Sequence, residues 1–252
     1  MSVQSQFKYT NSVIVYPLLL LFLIWAVFWY QVNVDYGIKS FGIRPHKAEG
    51  LLGVFTSPFL HSNIDHLYNN SIPLLVLSLA LFYFYNRIAW KVILCGILLS
   101  GFLTWIIGDS GNHIGASGLI YVLVSFIFFK GIFAKHYRLI ALSLLVIFLY
   151  GSMIWYVFPI KEGMSWEGHL GGLITGFLFA IIFKRQVAKP ERYTWEEPDY
   201  NEDDDPFMRH FDDNGNFIEI LPEDQELDKD ASNTQLAPPE VNYIFKEKNK
   251  ED

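Results

Sequence analysis

Apolar positions along the chain gather into six long runs, at about 13–30, 66–85, 90–107, 117–133, 139–158 and 167–183. Each approaches the roughly 20 residues that cross about 30 Å of hydrocarbon. The pattern predicts six transmembrane helices. The first run carries no basic flank and no small-residue cleavage site, and it is long, so it reads as a retained helix rather than a secretion signal. After residue 184 the apolar pattern stops, and Asp, Glu, Asn and Pro take over. That composition predicts a solvated, mostly disordered tail. The chain thus divides into a membrane domain over 1–184 and an acidic soluble tail over 185–252.

One island interrupts the tail, FDDNGNFIEIL at 211–221. Asn214-Gly215 is a type I′ turn signal and predicts a small hairpin. A calcium loop is excluded. With Gly215 at the glycine position, His210 stands where the first carboxylate belongs and Leu221 where the closing glutamate belongs.

Composition supports the membrane reading, since 52% of residues are hydrophobic, more than a soluble domain with a charged surface carries. The single cysteine, Cys95, excludes an internal disulfide framework and a cysteine-rich metal site. No metal and no cofactor is expected. The net charge of −7 averages two opposite parts: 1–184 holds 11 basic and 6 acidic residues, and 185–252 holds 8 basic and 20 acidic. No basic patch interleaved with aromatics is present, so no nucleic-acid partner is expected.

Charge also predicts orientation. Arg87 and Lys91 fall at the junction of runs two and three, Lys130, Lys135 and Arg138 at that of four and five, and Lys184, Arg185 and Lys189 at the end of six and beyond. If six helices alternate, these share one side. The loop before run four has no lysine or arginine, and the loop before run six has only Lys161. Both termini are therefore expected to be cytoplasmic. The long first loop, with Lys39, Arg44 and Lys47, is the exception. No arginine-rich transit segment is seen, and a bacterial inner membrane is the expected location.

Polar residues at membrane depth are expensive and mark function by default. Three clusters stand out. His66 and Asn70 sit four apart on one helical face, preceded by His61, and both can donate hydrogen bonds into one small volume. Ser117 opens the fourth run within Gly-Ala-Ser-Gly, where the first backbone N–H groups of a helix lack partners. Gly115 and Gly118 keep side-chain bulk away from it. His169 opens the sixth run, with Gly172 and Gly176 on its face, and small residues let membrane helices pack closely. That face should press His169 against a partner span, and Ser117 is the natural partner. Each cluster alone has an ordinary structural explanation: a bonded histidine, an N-cap serine, packing glycines. Jointly they fall at one depth on three spans.

The set His61-x4-His66-x3-Asn70, then Gly115-Ala116-Ser117-Gly118, then His169 followed by spaced glycines is similar to the rhomboid family of intramembrane serine proteases, over about 13–183. The resemblance implies an all-α membrane protein: a six-transmembrane-helix rhomboid-like bundle, here followed by an acidic, mostly disordered cytoplasmic C-terminal tail. It implies Ser117 as nucleophile and His169 as general base, a dyad without a third member. It places His66, Asn70 and the Ser117 backbone N–H in the oxyanion hole. Tyr121, one turn beyond Ser117, would pack against the His169 ring. Gly115 and Gly118 frame the serine, Gly172 and Gly176 the helix contact, and His61 is structural. One departure is visible: Leu52-Gly53 replaces a frequent Trp-Arg ahead of Phe55-Thr56, which bears on the first loop and not on the catalytic positions.

Ser110 lies in Gly-Asp-Ser-Gly, which resembles the serine signature of trypsin-like proteases. A soluble protease of that type would need β-barrels and disulfides, so Ser110 reads as loop. Glu167, two residues before His169, points to another helix face and is not read as a triad acid. The expected activity is endopeptidase cleavage of transmembrane segments near the non-cytoplasmic face, with single-span or multi-span membrane proteins as substrates and the lipid bilayer as solvent. Two rivals remain: an inactive rhomboid-like protein that binds transmembrane clients, and a transporter. A transporter would spread polar residues through the depth of several spans, whereas here they gather toward one face.

Overall fold

The computed structural model describes residues 9–160, 163–183, 193, 195, 198–212 and 214–218. Seven α-helices are found among them: α1 (Ser12–Asn33), the short α2 (Gly53–Thr56), α3 (Ile64–Phe84), α4 (Asn86–Ile107), α5 (Ser117–Ala134), α6 (Tyr137–Tyr150) and α7 (Trp166–Ile182). No strand is found among the described residues, only isolated bridges. The six apolar runs correspond to α1, α3, α4, α5, α6 with the 3₁₀ segment that follows it, and α7. Five are long and apolar enough to cross a membrane, and α7 is slightly shorter at 17 residues.

Sequence chemistry explains the ends that matter. Asn63 caps α3 by accepting from the His66 N–H at 2.8 Å, with Asp65 in the first turn, where carboxylates suit the helix dipole. Ser165 caps α7 in the same way. Pro17 and Pro73 lie inside α1 and α3.

α5 is the axis of the bundle. Every residue from Leu119 to Ile127 is buried, as expected of a helix that is apolar all round. It packs against α7, α6, α4 and α3, while α1 lies outside against α3. Gly172 and Gly176 set the α5–α7 spacing. A Cβ on Gly172 would collide with the Gly118 carbonyl oxygen and lie 2.7 Å from Tyr121 Cβ, and one on Gly176 would meet the Val122 carbonyl oxygen. Bulk at either position would force the helices apart.

Three expectations need correction. Lys130 is not in the basic loop. It lies inside α5, 1% exposed, and its ammonium donates to the Phe183 carbonyl at 2.5 Å, closing the end of α7. The cation sits where the helix dipole and unpaired carbonyls favour it. Arg87 and Lys91 lie within α4, because only Tyr85 separates α3 from α4. The fifth run is not one α-helix either: at Gly151 it tightens into a 3₁₀ segment, Gly151–Val157.

The Leu52-Gly53 departure has a physical reason. A Cβ on Gly53 would fall on the Gly42 carbonyl group and the Ile43 nitrogen. The first loop folds tightly on itself there, and no larger residue fits.

The chain divides into two compact units, 1–191 and 192–252. In the second, the expected hairpin reduces to one antiparallel bridge between Phe211 and Phe217. Asp212 organises the turn, its carboxylate accepting from the Asn214 and Asn216 N–H groups at 2.9 and 2.7 Å. Gly215 takes φ 79°. Lys161, Lys184, Arg185, Lys189 and most of the expected disordered tail lie outside the described residues.

Candidate active site

The loop after α4 carries the chain to Ser117, the first residue of α5. No side chain caps this helix start, so its first N–H groups face whatever enters the site. The Gly115 N–H donates to the Ser57 carbonyl at 2.8 Å, pinning the approach. Gly115 has φ +117°, and a Cβ there would stand 2.6 Å from His66 Nε2 and 3.4 Å from Asn70 Nδ2. Glycine is thus required by both conformation and space, and it lets His66 and Asn70 close on the serine loop.

The protonation of His66 follows from its neighbours. Its Nδ1 lies 3.5 Å from the Ser62 N–H and 3.1 Å from the Ser62 hydroxyl. A backbone N–H only donates, so Nδ1 accepts and Nε2 carries the proton. Asn70 is 6% exposed, and its Nδ2 is buried without a hydrogen-bond partner. Two unspent donors therefore converge near the Gly115–Ser117 backbone.

His169 sits on α7, 6% exposed. Its ring stacks on Tyr121, with 4.4 Å between centroids and 13° between planes. Nδ1 donates to the Tyr156 carbonyl at 2.8 Å. A carbonyl only accepts, so Nδ1 holds the proton and Nε2 keeps a bare lone pair. The Tyr121 hydroxyl donates to the Met153 carbonyl at 2.6 Å. Both rings are therefore fixed by carbonyls of the 3₁₀ segment after α6. Sequence reasoning missed this role of Met153 and Tyr156, and Gly151-Ser152 was the only signal of the switch.

Ser117 and His169 are neighbours through their helices. The position for a Cβ on Gly118 lies 3.5 Å from the Gly168 carbonyl oxygen. No hydrogen bond joins the Ser117 hydroxyl to the His169 ring among the described residues. Behind the serine lies a small cavity of about 30 Å³, lined in part by Ser100, Thr104, His113, Ser117 and Ser165. Its wall mixes these polar groups with apolar ones such as Ile97 and Leu119, and it is large enough for water.

His61 stands behind His66, the rings 5.1 Å apart and edge to face. It is fully buried, and among the described residues neither ring nitrogen finds a partner at full hydrogen-bond geometry. Gln31 of α1, also fully buried, grips the His61 backbone from both sides: its amide donates to the carbonyl at 2.7 Å and accepts from the N–H at 3.4 Å. The sequence reading overlooked Gln31, although a glutamine at the end of an apolar run was visible. Ser110 lies in an exposed bend. Glu167 faces the loop before α5, where its carboxylate accepts from the Asp109 N–H at 3.2 Å. Among the described residues no cluster of side chains could hold a metal ion.

The Rhomboid domain family matches residues 48–186, more than half of the chain and including all of α3 to α7. The chain belongs to the rhomboid family. With its apolar helices, this rhomboid is a multi-pass integral membrane protein. It is similar to uncharacterized proteins of Mycobacterium tuberculosis and Mycobacterium bovis, each 39% identical over 161 residues, covering 60% of this chain and 65% of the relative. A Mycobacterium leprae protein, also uncharacterized, is 36% identical over 169 residues, covering 63% of this chain and 65% of the relative. The chain thus spans about two thirds of the length of its bacterial relatives, just under that fraction in each case.

Proposed function

We propose that this rhomboid is an intramembrane serine endopeptidase that cuts transmembrane segments of membrane proteins near the non-cytoplasmic face. The observation that carries this reading is the His169 ring, held by the Tyr121 stack and the Tyr156 carbonyl so that Nε2 is bare, on the helix packed against the one Ser117 begins.

In this mechanism Ser117 Oγ attacks the scissile carbonyl carbon while His169 Nε2 takes the hydroxyl proton. The oxyanion receives hydrogen bonds from His66 Nε2–H, Asn70 Nδ2–H and the Ser117 backbone N–H. His169 then returns the proton to the leaving amine, and the C–N bond breaks. A water deprotonated by the same nitrogen attacks the acyl-enzyme and frees Ser117. Hydrolysis needs water, which hydrocarbon lacks, so the site must be a polar pocket open to one aqueous face. The substrate helix must unwind locally to expose its carbonyl, which favours small or helix-breaking residues near the cut.

In the proposed topology both termini are cytoplasmic, the location is a bacterial inner membrane, and a solvated acidic tail over 185–252 follows the membrane domain. The test is cleavage of a single-span substrate in liposomes by the wild type, Ser117→Ala, His169→Ala and Ser110→Ala, with labelling by a fluorophosphonate. Activity and labelling should vanish with the first two variants and survive in the third. A wild type that binds substrate without cutting or labelling would make the protein an inactive client binder.

A further inference from the structure

Four hydrogen bonds outside the catalytic set form a closed ring. The Asp109 N–H donates to Glu167 Oε1 at 3.2 Å. The Asp109 carbonyl faces His113 Nε2 at 3.5 Å, and His113 Nδ1 meets the Ser165 hydroxyl at 2.6 Å. The Gly168 N–H donates back to the Ser165 hydroxyl at 3.3 Å. The directions are determined by chemistry. A carbonyl cannot donate, so His113 carries its proton on Nε2, its Nδ1 accepts, and the Ser165 O–H donates to it. Every polar hydrogen in the ring is used.

The ring joins two pieces of chain. One is the loop that ends in Ser117, the other the first turn of α7 that holds His169. The loop side is anchored a second time, because His113 and Ile43 exchange both backbone hydrogen bonds, at 2.8 and 2.9 Å. Glu167 is 4% exposed, and an acidic group so deeply buried needs its partners. It also sits in the first turn of α7, where the helix dipole favours negative charge.

The geometry points to Glu167 and His113 as positioning residues. They latch the Ser117 loop to the start of α7 and so fix the distance and angle between nucleophile and base. This inference rests on the protease reading above. Neither residue touches the reacting atoms. Their contribution is orientation, for which displacements of an ångström are costly.

The experiment uses full-length protein in liposomes, read by cleavage kinetics and by the rate of fluorophosphonate labelling. Glu167→Ala should lower kcat by about tenfold with KM unchanged, and slow labelling by the same factor. Glu167→Gln keeps an acceptor oxygen and should stay within about threefold of wild type. The double variant Glu167→Ala/His113→Ala should be no slower than the worse single variant, because either break opens the same ring. Glu167→Ala at wild-type rates, equal losses in Glu167→Ala and Glu167→Gln, or multiplicative losses in the double variant would each overturn the latch. A wild type that neither cleaves nor labels overturns the protease reading and the latch with it. Wild-type activity with unaffected variants overturns the latch alone.

Discussion

Tyr121 and His169 lie face to face, 4.4 Å between ring centroids, and each ring is tied to a carbonyl of the same 3₁₀ segment. In the proposed mechanism the pair substitutes packing for the carboxylate that orients histidine in a triad. Tyr121→Phe keeps the stack and loses only the bond to Met153, so kcat should fall by a few fold, on the order of one hydrogen bond. Tyr121→Ala frees the ring and should cost about a hundredfold. Steady-state cleavage of a single-span substrate separates the two, and equal losses would show that the stack does not orient His169.

Glycines at the α5–α7 contact differ in what they tolerate. Gly172→Ala drives a methyl group into the Gly118 carbonyl, so the helices must separate, at a cost of about 1–3 kcal/mol. Gly118→Ala places its methyl 3.5 Å from the Gly168 oxygen, an ordinary contact. Thermal unfolding in detergent should show a clear drop for the first and a small change for the second.

The oxyanion assignment makes a paired prediction. Asn70→Ala removes a donor that has no partner among the described residues, which should cost about 3 kcal/mol in the barrier, a hundredfold or more in kcat. Gly115→Ala adds a methyl 2.6 Å from His66 Nε2 at φ +117°, and it should lose activity comparably with an intact Asn70. If Asn70→Ala cleaves at the wild-type rate, the oxyanion donors lie elsewhere.

His61 predicts a pH dependence of stability. Burial, reinforced by nearby His66 and opposed by the Phe59 backbone, lowers its pKa from 6.5 to about 4. Below pH 6.5 the unfolded chain takes up a proton that the folded chain refuses until about pH 4. The contribution is therefore complete above 6.5 and is lost as pH falls toward 4, on the order of 3 kcal/mol over the window. Unfolding temperature measured from pH 7 to pH 4.5 should drop more steeply for wild type than for His61→Phe, which has no group to titrate there. Parallel curves would rule the effect out.

Much of this protein was legible before any coordinates. The six apolar runs mapped to α1 and α3–α7, because a helix in hydrocarbon must be long and apolar whatever surrounds it. The start of α5 at Ser117, and the small-residue face of Gly172 and Gly176, were visible because helix ends and one-face spacing are local properties. Tertiary structure decided what local pattern cannot carry. Lys130 looked like a loop cation and proved to be a buried cap on α7, since its partner, the Phe183 carbonyl, lies 53 residues away. Gln31 and Glu167 gained meaning only from the backbone groups they meet across the fold, and Tyr156 from the His169 ring that its carbonyl holds. Sequence by itself nominated Ser117, His169, His66 and Asn70 for chemistry and determined on which helices they stand. Only the packing of α5 against α7, with the 3₁₀ segment over the Tyr121 and His169 rings, decided that Nδ1 of His169 bears the proton. A tautomer is set by the hydrogen bond at the opposite ring atom, and that partner is a matter of three-dimensional contact.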